Sequence, residues 1–109
     1  MRDIEAKALS YLGFAVRARR AVIGVALICE ALKGSGAPLL VLEASDTSDN
    51  THKRISNRTT YYRVPAIRLS LDGEALAVAV GKRGGTVGAV GVTDHSLAAA
   101  IAALYGISL

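Results

Sequence analysis

The sequence has few of the residues that stabilise small proteins through disulfide bonds or metal sites. It contains 109 residues, one of which is cysteine and two of which are proline. Since one thiol cannot form an internal disulfide, Cys29 excludes a disulfide framework and a cysteine-based zinc site in this chain. No metal-ligand spacing joins Cys29 to His52 or His95, and we predict neither a metal nor a cofactor. So little cysteine favours a reducing, cytoplasmic setting.

Long hydrophobic runs are also missing. The longest apolar stretches fall short of the ~18 residues that a membrane-spanning helix needs. The first seven residues mix acids and bases, unlike the basic start and apolar run of a signal peptide. We therefore expect a soluble protein. Without an internal linker, repeat or low-complexity segment, residues 1–109 are predicted to form one domain, with the alternative that this is one domain of a longer protein.

The residues that are present suit a folded core and a basic surface. Hydrophobic residues make up 51% of the chain and charged residues 20%. A chain of this length can bury about two-thirds of its unfolded surface, so no covalent brace is needed. The net charge of +4 favours a polyanionic partner.

Hydrophobic periodicity predicts helices alternating with strands. The helical segments are 3–18, 24–33, 51–63 and 95–106, and the strands are 38–44, 66–71 and 86–94. The segment DGEALAVAVG fits both patterns, and we favour a short helix that Ser70 or Asp72 caps. This order predicts the α/β class, with a central sheet flanked by helices.

Positive charge is concentrated in three segments. Residues 1–23 contain five basic and two acidic residues, and residues 45–64 contain four basic and two acidic residues. The loop GKRGG adds Lys82 and Arg83. Helix ends and loops are common places for phosphate contacts, but a solvated surface without a partner is an equally good interpretation.

Several motifs in this order resemble one known family. RRAVIG, LLVLEASD, SDNTHKRI, YYRVPAI and VGVTD together resemble the kink-turn RNA-binding ribosomal proteins of the L7Ae/L30e type, above all their small bacterial YlxQ/YbxF-like branch. The similarity runs from about Asp3 to Gly106. It implies a three-layer α-β-α sandwich around a small mixed sheet of about four strands. It also implies RNA binding by the start of the second helix and by the loop before the last strand.

The family's base-reading pattern is altered in this chain. Kink-turn readers carry Gly-x-Asn-Glu-x-x-Lys at the start of the second helix. With Gly24 as the glycine, Ala26 replaces the Asn, Leu27 replaces the Glu and Glu30 replaces the Lys. Alkyl groups cannot hydrogen-bond base edges, and a carboxylate repels phosphate. We therefore expect phosphate contacts to remain and kink-turn base readout to be lost.

The resulting hypothesis is a small non-catalytic module that binds structured RNA, ribosomal or kink-turn-like, mainly through phosphates. Cations from distant segments are expected to converge beside the start of the second helix, with Lys53 and Arg54 extending the patch. The predicted RNA-binding residues are Arg19, Arg20, Gly24, Val25, Ala26, Leu27, Glu30, Lys53, Lys82, Arg83, Gly84, Thr86 and Val87. The alternative is a protein-interaction module that keeps the fold and uses the Ala26/Leu27 surface without binding RNA.

Other candidate residues have simpler interpretations. Cys29 lies on the apolar stripe of the second helix and is predicted to pack in the core. His52 is predicted to be exposed, with an RNA contact as the alternative, and His95 has no predicted role. GKRGG precedes a strand, unlike a Walker loop, and is interpreted as an RNA-contacting loop or a plain glycine turn. Asp46 has no partner for acid–base chemistry and is interpreted as a turn residue.

Overall fold

A computed structural model describes residues 2–109, and the side chains of residues 3–109. Helices and strands alternate along most of the chain. The helices are α1 (Arg2–Arg17), α2 (Val25–Ala31), α3 (Asp49–Tyr61), α4 (Gly73–Ala79) and α5 (His95–Leu104), and the strands are β1 (Ala21–Ile23), β2 (Leu40–Glu43), β3 (Ala66–Arg68) and β4 (Ala89–Val92).

The strands form one mixed sheet in the order β1-β4-β2-β3. β4 runs antiparallel to both β1 and β2, and β3 runs parallel to β2. These directions give the sheet two ends. We call one the front end, formed by Ile23, Glu43, Arg68 and Ala89, and the other the rear end, formed by Ala21, Leu40, Ala66 and Val92.

Each face of the sheet covers a separate hydrophobic cluster, because side chains alternate along a strand. Leu40 and Leu42 of β2 join the cluster under α1, α4 and α5, whereas Val41 joins the cluster under α2 and α3. All four residues of β2 and of β4 are buried, as strands covered on both faces should be. The predicted three-layer α-β-α sandwich is confirmed.

Three helices begin at the side-chain caps that the sequence favours. Ser48 accepts a hydrogen bond from the N–H of Thr51, Asp72 from that of Ala75, and Asp94 from that of Leu97. The short helix in DGEALAVAVG is therefore confirmed, with Asp72 rather than Ser70 as its cap. Satisfying an otherwise unpaired N–H stabilises each helix start.

One strand was not predicted from the sequence, and the other strands are shorter than predicted. β1 has three half-buried residues and follows α1 after a short turn. Three apolar residues before a glycine are too few to show the alternation that predicts a strand. The predicted strands 66–71 and 86–94 shrink to three and four residues. Beyond those residues the chain already turns toward α4 or arrives from the glycine-rich loop.

Gly91 allows two layers to approach closely. A Cβ placed on Gly91 would lie 2.7 Å from Cγ of Pro38 and 3.6 Å from Cγ1 of Ile28. Real carbon atoms do not approach that closely, so a side chain at this position would push Pro38 away from β4. Glycines within the strand pattern 86–94 indicate close packing, and Gly91 provides it here.

The core position predicted for Cys29 is confirmed, because Cys29 is 2% exposed and packs in the interior. Tyr62 packs against the α2–α3 cluster, whereas Tyr61 is 78% exposed and meets the Tyr62 ring edge-on. Among the helices described, none combines the length and the hydrophobicity that crossing a membrane requires.

Candidate functional site

The start of α2 lies at the front end of the sheet. Gly24 follows β1 directly, and its N–H donates to the carbonyl of Ala89 across a distance of 2.9 Å. Its φ of 107° is a conformation that side chains disfavour, so glycine is required for the turn from β1 into α2. No side chain caps this helix.

Three segments converge there around one open groove of about 420 Å³. They are the first turn of α2, the segment from the end of β2 into α3, and the loop that precedes β4. The residues that line the groove are Val25, Ala26, Asp46, Thr47, Thr51, Arg54, Gly73, Thr86, Val87 and Gly88. The structure thus brings together the two regions that the family resemblance implies.

Gly88 lets these segments meet. A Cβ at Gly88 would lie 3.0 Å from Cγ2 of Val25 and 3.6 Å from Cγ2 of Thr47. A larger residue would separate α2 from the start of β4 and open the groove. Glycines in the predicted strand 86–94 indicate close packing of this kind, although Gly88 was not among the predicted RNA-binding residues.

The loop before β4 is cationic and glycine-rich. Lys82, Arg83 and Thr86 are exposed, and Gly84 and Gly85 have φ values of 72° and 84°. Val87 differs, because it is 4% exposed and its N–H donates to the carbonyl of Gly73. Its side chain therefore belongs to the core, and Thr86 is the polar side chain that the end of the loop presents.

The outer surface of α2 is apolar at its start and charge-neutral at its end. Ala26 is exposed, and Leu27 is 61% exposed. Glu30 pairs with Lys33 across 3.2 Å, so its charge is offset by a neighbouring base. The three positions that replace the family's Asn, Glu and Lys are all exposed, with no polar group at the first two.

In α3 the groove is lined by Arg54 rather than Lys53. Thr51 and Arg54 are three residues apart and share a helix face. The adjacent Lys53 is exposed but does not line the groove. Thr47 and Thr51 also line the groove and were missed. The N-capping run SDTSDN indicated the start of this helix. A spacing of three residues from Thr51 would then have identified Arg54 as the basic residue on the same helix face.

Arg19 and Arg20 do not join the groove. The carbonyl of Arg20 accepts a hydrogen bond from the N–H of Thr93, just beyond the end of β4, which places both arginines at the rear end. Four residue steps separate Arg20 from Gly24, or roughly 13 Å at about 3.3 Å per step. The expected convergence of all the cations beside the start of α2 is therefore wrong for these two.

A buried carboxylate at the front end was also missed. Glu43 ends β2 and is 3% exposed. It accepts hydrogen bonds from the hydroxyl of Thr47 and from Nδ1 of His52 at 2.9 Å, and Nε of Arg68 lies 3.8 Å away. His52 is thus half-buried and committed to Glu43, which corrects its predicted exposure. The sequence signal was an acid at the end of an otherwise apolar strand. An acid buried there needs hydrogen-bond or charged partners.

Comparison with known proteins identifies the family. The chain is 34% identical over 87 residues to the RNA-binding protein YlxQ of Bacillus subtilis strain 168, which covers 80% of this chain and 83% of that protein. This chain belongs to the YlxQ/YbxF-like branch of the L7Ae-type family. The RNA-binding protein YlxQ of Enterococcus faecium is 32% identical over 68 residues, covering 62% of this chain and 65% of that protein. No family model matches the chain.

Two solved structures share the fold of this chain. A protein of unknown function from Bacillus halodurans C superposes with a TM-score of 0.83 and is 30% identical, over 93% of this chain and 98% of that one. The 15.5kD RNA binding protein of Giardia lamblia superposes with a TM-score of 0.75 over 95% of this chain and 86% of that one. At 16% identity the second likeness concerns the fold alone.

Proposed function

We propose that this YlxQ-family chain is a small non-catalytic RNA-binding module that holds structured RNA at the front end, mainly through phosphates. The observation that carries the proposal is the groove where α2, α3 and the loop before β4 meet. Arg54 stands in its wall, and Lys82 and Arg83 extend from the exposed loop beside it. The relatives named RNA-binding proteins, at 34% and 32% identity, support the same function.

The acids near the groove are engaged with backbone groups. Asp46 accepts a hydrogen bond from the N–H of Gly73 at 2.8 Å, and Asp72 accepts one from the N–H of Ala75 at 2.9 Å. Carboxylates held in this way have fixed positions at the starts of helices. Long arginine and lysine side chains can extend past them to an RNA backbone, and guanidinium groups suit phosphate because they donate in pairs.

The proposal includes loss of kink-turn base readout. A base edge placed against Ala26 and Leu27 would meet methyl and isobutyl groups, and each missing polar contact removes about 1–3 kcal/mol of discrimination. The ion pair of Glu30 with Lys33 leaves no net positive charge at the position of the family's Lys. Binding should therefore depend on RNA shape and charge more than on kink-turn sequence.

The test compares a kink-turn hairpin RNA with an unstructured RNA of equal length at two salt concentrations. We expect both RNAs to bind and the kink-turn bases of the hairpin to add little affinity. Affinity should fall by nearly one log unit per phosphate contact for each log unit of salt. The triple variant Arg54→Ala, Lys82→Ala and Arg83→Ala should reduce this salt dependence. Absence of binding at low salt would contradict the proposal.

A second candidate function rests on Leu27. Its 61% exposure beside Ala26 makes an apolar surface where the family has polar readers, and such a surface fits a protein partner. Leu27→Lys and Leu27→Asp separate the two functions. Both substitutions should disrupt a protein interface, whereas RNA binding should be weakened by Asp and kept or improved by Lys. Equal loss of RNA affinity in both variants would contradict phosphate-driven binding next to Leu27.

A further inference from the structure

Four helices of this protein end in the same backbone motif. After each helix, a residue with positive φ donates its N–H to the carbonyl three residues before it, and the next residue donates its N–H to the carbonyl five residues before it. This pair of hydrogen bonds defines a Schellman cap. At α1 these bonds run from Arg19 to Val16 at 3.1 Å and from Arg20 to Ala15 at 2.8 Å. The residues with positive φ are Arg19 at 58°, Arg63 at 57°, Gly81 at 82° and Gly106 at 75°.

Two of these four positions depart from the usual glycine. α4 and α5 end in Gly81 and Gly106, as expected for a left-handed conformation that a Cβ disfavours. α1 and α3 end in Arg19 and Arg63, which accept the same conformation with a long charged side chain. Backbone strain of this kind persists only where the surrounding structure enforces it, and it clusters at functional sites.

Both strained arginines lie at the rear end of the sheet. Arg19 precedes β1, and Arg63 precedes Pro65, whose carbonyl accepts from the N–H of Val41 at 3.0 Å. Both side chains are exposed, and so is that of Arg20. Across the residues whose side chains are described, no acid lies within 4.0 Å of any of these three. Asp94, the acid next to this end, is held by its hydrogen bond to the N–H of Leu97 at 2.8 Å.

The placement of these cations suits a polynucleotide backbone. Arg19 precedes β1 and Arg63 precedes β3, the outer strands of a four-stranded sheet, and these two strands lie roughly 14 Å apart at about 4.8 Å per strand. Arg20 stands beside Arg19 at the β1 side. A strand of RNA crossing this end would meet cations at both margins, and guanidinium forks bind phosphate oxygens bidentately.

We propose that Arg19, Arg20 and Arg63 form a second phosphate-binding surface at the rear end, so that one molecule contacts two RNA segments, one at each end of the sheet. This rests on the proposed RNA-binding function and goes beyond its site. The front end holds one segment in its groove, and the rear end holds another by charge alone. The rear surface thereby explains why two helix ends keep arginine at positions where glycine would be more stable.

The decisive variant is the double substitution Arg19→Gly and Arg63→Gly. Since glycine relieves the positive φ at both caps, we expect the melting temperature to rise by several degrees, about 4 °C or more. RNA affinity should fall nonetheless, and the salt slope of log affinity should decrease by roughly one unit for each arginine removed. Opposite changes in stability and binding exclude misfolding as the cause of weaker binding.

Lys7→Ala is the charge control, because Lys7 is exposed on α1 and is not among the residues that line the front-end groove. It should leave the salt slope nearly unchanged. A bridging assay tests the two surfaces directly: a kink-turn hairpin on beads is saturated with protein, washed, and offered a labelled poly(U) strand. Wild-type protein should retain the labelled strand, and the Arg19→Gly, Arg63→Gly variant should not.

The outcomes separate this inference from the proposed function. An unchanged salt slope and unchanged bridging in the glycine variant would overturn the rear surface, while the front-end proposal would stand if Arg54→Ala, Lys82→Ala and Arg83→Ala still weakened binding. If the glycine variant lost binding only to a poly-glutamate peptide and kept RNA binding, the RNA assignment of the rear surface would be wrong. Wild-type protein that binds no RNA at low salt would overturn both.

Discussion

At the residue scale, Glu43 is the side chain whose environment most constrains its neighbours. A carboxylate that is 3% exposed is costly to bury unless its oxygens are paired. Here Thr47 and His52 donate to it and Arg68 lies 3.8 Å away. The same contacts tie the end of β2 to the first turn of α3 and to β3, so this acid helps to set the wall of the front-end groove.

Substituting Glu43→Gln should lower the free energy of unfolding by about 1–3 kcal/mol. The amide removes the charge that faces Arg68 and leaves at least one buried donor without its best acceptor. Urea unfolding measures the effect. The matched control is Glu30→Gln, since the exposed Glu30–Lys33 pair contributes about 0–1 kcal/mol. Equal effects of the two substitutions would show that the Glu43 contacts contribute no more than a surface pair.

Tyr105 is a second residue whose environment should have a measurable effect on stability. Burial raises its pKa above the ordinary value of 10.0, and the nearby Glu5 carboxylate raises it further. The folded protein therefore binds this proton more tightly than the unfolded chain does, so stability is fully present below pH 10 and falls as pH rises above it. Its hydroxyl is buried and has no hydrogen-bond partner among the residues described.

Tyr105→Phe should therefore reduce the alkaline loss of stability. At neutral pH the variant should be as stable as the wild type or more stable by up to about 1 kcal/mol, because a buried unpaired hydroxyl is removed. Urea unfolding at neutral pH and at about pH 11 gives the difference. Tyr61→Phe is the control, since Tyr61 is 78% exposed. An alkaline decline of the same size in both variants would contradict the role of Tyr105.

At the element scale, capping decides the one segment whose pattern is ambiguous. DGEALAVAVG alternates like a strand over half its length, yet Asp72 accepts from the N–H of Ala75 at 2.9 Å and α4 forms. Asp72→Ala should lower the free energy of unfolding by about 0.5–2 kcal/mol, whereas Asp72→Asn should change it little, because asparagine caps equally well. Thermal unfolding of both variants checks this. Equal losses would mean that the cap is not the cause.

The sequence predicted the elements that carry a strong periodic or capping signal. The helices and the buried strands β2 and β4 were found for that reason, and the family pattern located Gly24 and the loop at Lys82. What it missed depends on contacts between distant residues. β1 is a strand only because β4 offers it backbone partners, and Arg19 lies at the rear end only because β1 runs toward the front. The partners of Glu43 come from the loop after β2, from α3 and from β3, so no local pattern identifies them.

At the scale of the whole molecule, one sheet joins two hydrophobic clusters. Ile101 of α5 packs on one face and Ile55 of α3 on the other, and both are nearly inaccessible. β2 and β4 contribute side chains to both clusters, so neither face can lose its packing without disturbing the strands that support the other. This arrangement predicts that the protein unfolds in one cooperative step.

Ile55→Val and Ile101→Val test that cooperativity. Each removes one buried methyl group and should lower the free energy of unfolding by about 0.5–1.5 kcal/mol. Because the two sites lie on opposite faces of the sheet, the double variant should show the sum within about 0.5 kcal/mol. Far-ultraviolet circular dichroism and tyrosine fluorescence should report the same single urea transition in all three variants. Two separate transitions, or a substitution that shifts only one signal, would mean that the α2–α3 layer unfolds independently of the layer formed by α1, α4 and α5.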